Sequence, residues 1–156
     1  MSIHEPMTIS NSTPLITLSK IQGIPLLQPL FGTVSIPWAV YHETVEHAQA
    51  PVRQQQLIRA AIADGYLVVE RMIMECPLHR QLGLGERQTL YLAIARRPDH
   101  LILDDKQARN EAVAQGLGGS LINTVTVLKK AETMGLISYA EAITRLKDQG
   151  EILSET

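Results

Sequence analysis

The feature that most constrains this chain is its alternation of short β-prone runs with longer stretches of helical spacing. The β-prone runs are "MTIS" (7–10), "TVSI" (33–36), "GYLVVE" (65–70), "HLILDD" (100–105) and the weaker "SLI" (120–122). Between them lie segments whose apolar residues recur every three to four positions, such as Leu15, Leu18 and Ile21, or Thr124, Val127, Leu128 and Ala131. Strands that alternate with helices predict an α/β fold whose sheet is mainly parallel and covered by helices on both faces. Functional residues of such folds lie beyond the carboxyl ends of the strands. That rule selects Asn11, Asp104, Asp105 and the residues around Asn123.

Local signals set the predicted element ends. Thr13 is a candidate cap with Pro14 at the first helical position, and Pro37 opens the helix that carries Val40, Glu43 and Thr44. A polar helix is predicted over 52–63, and "GLGERQTLYLAIARR" (83–97) is apolar enough after its first turn to be buried. Gly116 and Gly135 stop the next two helices, and Ser138 with Glu141 forms a capping box for the last.

The chain of 156 residues suits a single domain over 1–156 with a substantial core. A formal net charge of -2 excludes a wholly basic face, so any nucleic-acid contact must be local. The single cysteine, Cys76, excludes an intrachain disulfide and a multi-cysteine zinc site, and reads as a small core residue in a reducing compartment. No apolar run reaches membrane-spanning length and "MSIHEPM" lacks a signal-peptide layout, so no membrane association and a cytoplasmic location are expected. The five histidines show no paired zinc spacing, and there is no phosphate-binding glycine loop and no GxSxG.

Asn11, Glu43, Glu86, Asp104 and Asp105 stand where a fold of this kind gathers side chains. Clustered oxygen ligands suit Mg2+ or Mn2+, which lower the pKa of bound water and stabilise charge on a phosphoryl oxygen. Each residue also has a structural reading. Asp104 or Asp105 can cap the following helix, Glu86 suits a first helical turn, Glu43 beside His42 can be simply solvated, and Asn11 can form an Asx turn.

The stretches "SNSTPLITLSKI", "IPWAVYHETV", "GLGERQTLYLAI", "LILDDKQAR" and "NTVTVLKKAETMGLI" occur in this order. Together they resemble a bacterial and archaeal branch of the PIN-domain nucleases, over about Thr8 to Leu153. The resemblance implies a three-layer α/β/α fold and metal-dependent hydrolysis of single-stranded RNA, often by a toxin paired with a small antitoxin. It implies metal ligands at Asn11, Glu86, Asp104 and Asp105, with Asp105 expected to face the ion, and Glu43 as a further ligand or water-orienting group. Ser12, Arg109, Asn123 and Thr124 become substrate-side residues, with Arg109 expected to pair with the acids or contact a phosphate. Apolar residues on helices around 15–30 and 40–60 are expected to form a homodimer face, and Trp38 to lie in the core.

The chain departs from the family pattern at its first acid, where Asn11 replaces aspartate, and near its last motif, where Asn123, Thr126 and Glu132 replace two glycines and a lysine. An amide keeps a carbonyl oxygen for a cation but loses a charge. At about 4 Å and an effective dielectric of about 20, a unit charge contributes roughly 4 kcal/mol. The amide also cannot act as a general base. Three readings follow: a nuclease that tolerates the amide, a non-catalytic RNA- or protein-binding module, or an inactivating substitution at position 11.

Overall fold

The computed structural model describes residues 6–151 and 153. Among them, five strands form one fully parallel sheet. The chain runs through β1 (Thr8–Ser10), α1 (Ser12–Ser19), a 3-10 turn (Ile24–Leu26) leading into α2 (Leu27–Phe31), and β2 (Val34–Pro37). It continues through α3 (Trp38–Tyr41), a π-helical turn (His42–Glu46), α4 (Val52–Ala63) and β3 (Leu67–Glu70). Then come α5 (Leu84–Arg96), β4 (His100–Ile102), α6 (Lys106–Ala114), a 3-10 turn (Gly118–Ser120), β5 (Leu121–Ile122), α7 (Thr124–Thr133) and α8 (Tyr139–Asp148).

The strand order is β3-β2-β1-β4-β5. The chain therefore builds outward from β1 to β3, then returns to the other side of β1. The crevice above β1 and β4 is the switch point where such sheets present their functional groups. In register, Thr8 pairs with Val34 on one side and His100 on the other.

Burial explains the three layers. Successive residues at the end of β4 alternate between two cores: Leu101 and Leu103 join one, Ile102 the other. One core packs α1, α2, α4, α7 and α8 through Leu15, Leu27, Ile58, Leu128 and Leu146. The other packs α5 and α6 through Leu90, Leu92, Ala108 and Ala112. The molecule is thus the α/β/α sandwich that the alternation of elements predicts. Gly116 and Gly135 adopt φ +82 and +74, the left-handed turns that end α6 and α7.

Several expectations are corrected. α1 begins at Ser12, with Asn11 rather than Thr13 at its cap, so Pro14 is the third helical residue. The helix after Pro37 is a single α turn followed by a π turn, and the segment between Gly23 and β2 contains α2. The apolar residues of α1 are core residues. Of the helices around 15–30 and 40–60, only Val52 is an exposed large hydrophobic among the described residues. Trp38 is half-buried and stacks on His42 at 5.0 Å between ring centroids, and Cys76 lies half-buried in the segment between β3 and α5.

Candidate active site

Asn11 follows β1 at the switch point. Its backbone N–H donates to the Ile102 carbonyl at 3.2 Å, so it sits beside the end of β4. It is 2% exposed, and its side chain makes no cap hydrogen bond to α1. An N-cap side chain ordinarily accepts from the second or third helical N–H. The third helical residue here is Pro14, which has no N–H. The Asn11 amide turns instead to α5, where its Oδ1 accepts from Thr89 Oγ1 at 3.3 Å.

From Thr89 a connected set of polar groups spreads over three elements. Thr89 shares its single hydroxyl proton with the nearer Gly85 carbonyl at 2.7 Å. Gly85 lies directly against the Glu43 carboxylate: a Cβ at position 85 would stand 2.5 Å from Glu43 Oε1. Glu43 Oε2 accepts from Ser12 Oγ at 2.6 Å. Glu43, exposed on the π turn, is thereby held between the starts of α1 and α5. Asn11, Ser12, Glu43, Gly85 and Thr89 form one neighbourhood, of which the sequence singled out the first three.

The two adjacent aspartates part company. Half-buried Asp104 uses both oxygens on Thr124, accepting from its N–H at 2.8 Å and its hydroxyl at 2.6 Å. It holds the start of α7 against the end of β4. Asp105, expected to face a metal, is the exposed N-cap of α6 and accepts from Ala108 N at 2.8 Å. Asn123 caps α7 through Thr126 N at 2.9 Å. Arg109 pairs with no carboxylate among the described residues. Its Nη1 donates to the carbonyls of Leu103 at 2.7 Å and Ile122 at 3.1 Å, clamping the ends of β4 and β5. Glu86 turns back over its own helix start, its Oε2 lying 2.8 Å from where a Cβ on Gly83 would be.

The oxygen donors suit Mg2+ or Mn2+ in kind but not in arrangement. Among the described residues no three Asp, Glu, His or Cys side chains stand close enough to share one ion. Asp104 is committed to Thr124, Asp105 to α6, and position 11 carries no charge. The described side-chain atom buried without a partner is Arg87 Nε, in the first turn of α5. These residues as arranged do not fit a resident divalent ion.

One group escaped the sequence reading. Glu111 on α6 is fully buried and accepts from His79 N, His79 Nδ1, Arg80 N and Gln115 Nε2 at 2.8–3.1 Å. Burial alone would raise its pKa. Hydrogen bonds from Gln115, His79 and Arg80 outweigh that and lower it to about 2. The available signal was positional: Glu111 shares the inward face of α6 with Ala108 and Ala112.

A family model described as a PIN domain matches residues 7–156. Among solved structures, a PilT N-terminus domain protein from the hyperthermophilic archaeon Sulfolobus solfataricus is similar with a TM-score of 0.56 at 15% identity. The likeness covers 80% of this chain and 93% of that one, and at that identity it is a likeness of fold. A search of curated proteins returned no match.

Proposed function

Because the chain belongs to the PIN-domain family, whose fold is of the nuclease type, we propose that it is a toxin-like, RNA-directed PIN domain whose phosphodiester hydrolysis is impaired at Asn11. Single-stranded RNA is the substrate class, and the strand-end neighbourhood of Asn11, Ser12 and Glu43 is the site, with Glu86 in the first turn of α5 beside it. The observation that carries this reading is the buried, uncharged Asn11 side chain at the switch point, turned onto Thr89. An aspartate there would add a charge worth a few kcal/mol to a nearby divalent ion, and each ~1.4 kcal/mol is tenfold in affinity. With no charge at position 11 and no three converging acids among the described residues, no tightly held Mg2+ or Mn2+ and slow cleavage are expected.

A second reading, a non-catalytic RNA-binding module, is favoured by the absence of three converging acids among the described residues. Cleavage and binding of a labelled single-stranded RNA with Mn2+, for this chain and for Asn11→Asp, separate the two. The impaired-nuclease reading expects Asn11→Asp to cut at least about 100-fold faster, the equivalent of roughly 3 kcal/mol. Equal cleavage by both proteins overturns impairment. Binding without cleavage by either selects the module, and neither binding nor cleavage overturns the RNA reading.

A further inference from the structure

A cavity with a lining of polar side chains lies away from the strand ends. It has a volume of about 440 Å³ and opens between the end of α1, the start of α4 and α8. Lys20, Arg53 and Arg145 line it together with Gln22, Gln54 and Gln149, and no carboxylate does. In a chain of net charge -2, three cations around one cavity, of which Lys20 alone is paired with a carboxylate, leave a local positive field. The eight residues of α1 separate Asn11 from Lys20, about 12 Å at helical rise.

The lining is held in place by its own hydrogen bonds. Arg145 Nη2 donates to Gln22 Oε1 at 2.6 Å, Gln149 Nε2 to the Lys20 carbonyl at 2.8 Å, and Gln54 Nε2 to the Thr44 carbonyl at 2.8 Å. Arg53 has no hydrogen bond or ion pair among the described residues, and Arg145 meets no carboxylate among them. Lys20 pairs with Glu151, which reaches back from beyond α8, so an anionic group already rests on this cation. The first turn of α4 adds N–H groups without intrahelical partners and carries no acid.

We propose that this cavity is an oxyanion site that takes a phosphate group, with Lys20, Arg53 and Arg145 as its charge partners. The phosphate is either a free phosphate or one in an RNA backbone. Glu151 occupies Lys20 in its absence and is displaced on binding.

Titration calorimetry and thermal melting with inorganic phosphate in low chloride test the site. The protein is compared with Arg53→Gln, with the double variant Arg53→Gln/Arg145→Gln, and with Glu151→Gln. Arg53→Gln removes no internal hydrogen bond, so it reports on the cavity even where the double variant unfolds. Phosphate is expected to bind, to weaken at least about tenfold in each arginine variant through lost charge-assisted hydrogen bonds, and to tighten in Glu151→Gln. No binding to the unaltered protein, or equal binding by Arg53→Gln, overturns the site. Anisotropy of a labelled single-stranded RNA against salt identifies the source. A double variant whose log–log salt slope falls by roughly 0.7, the value for one lost phosphate contact on a single strand, assigns the cavity to RNA; an unchanged slope with lost phosphate binding assigns it to free phosphate. These readouts are independent of cleavage by Asn11→Asp, so this site and the strand-end reading fail separately.

Discussion

An asparagine before a helix usually satisfies that helix. Here the neighbours of Asn11 direct it elsewhere: Pro14 removes one of the two N–H groups a cap can reach, and α5 presents the Thr89 hydroxyl. Gly85 shows how closely the neighbouring backbones approach. A methyl group at position 85 would stand within 2.9 Å of three Glu43 carboxylate atoms. Only the flexible end of Glu43 has to yield, so Gly85→Ala is expected to swing that carboxylate away from Ser12. The lost hydrogen bond costs about 1 kcal/mol, and the glycine-to-alanine gain in helix propensity returns about 1. Urea unfolding should therefore show a stability change within about 1 kcal/mol, while RNA cleavage in an Asn11→Asp background falls. A large destabilisation, or unchanged cleavage, would contradict this geometry.

At the scale of elements, the two aspartates after β4 serve different helices. Asp105 caps α6 through one bond, and Asp104 holds the start of α7 through two. Asp105→Ala should cost about 1 kcal/mol, as other lost caps do. Asp104→Ala should cost about 2–3 kcal/mol, because it also leaves the buried Thr124 hydroxyl unpaired. Denaturant midpoints of the two variants check the order; a larger loss for Asp105→Ala would reverse the assignment. Arg109 works on the same scale. Its donations to the Leu103 and Ile122 carbonyls tie α6 to two strand ends, so its charge serves the backbone rather than a carboxylate.

For the whole molecule, the informative group is Glu111. Its carboxylate gathers backbone and side-chain donors from His79 and Arg80, more than 30 residues away in sequence, and so fastens the segment between β3 and α5 to α6. Its folded pKa of about 2 lies below the ordinary value of 4.5. A depressed acid contributes stability that is fully present above the unfolded pKa and is lost as pH falls through the folded one. Unfolding midpoints should therefore drop between about pH 4.5 and pH 2, and Glu111→Gln should flatten that part of the profile. At neutral pH the same variant should cost about 2–3 kcal/mol, since a neutral amide replaces the charged acceptor of several hydrogen bonds. It should also expose the 71–83 segment to limited proteolysis. A variant with the parent's acid profile would show that Glu111 is not the group that titrates.

The order of strands and helices was written in the sequence, because periodicity and turn residues act over a few positions. The helix expected at about 52–63 spans Val52–Ala63, and the capping of α8 by Ser138 followed from spacing alone. Part of the candidate strand-end neighbourhood was legible for the same reason: Asn11, Ser12 and Glu43 sit at element ends that a parallel sheet turns toward one rim. Which way each side chain then faces was not a local matter. Asp104 and Asp105 are neighbours with the same chemistry, and only the arrival of Thr124 beside one and Ala108 beside the other divides their roles. The Thr89 and Gly85 contacts, the buried carboxylate of Glu111 and the cavity of Lys20, Arg53 and Arg145 likewise join residues far apart in the chain. Burial periodicity records what a segment does with its own faces, and it carries no record of which distant backbone will supply a donor or leave one out.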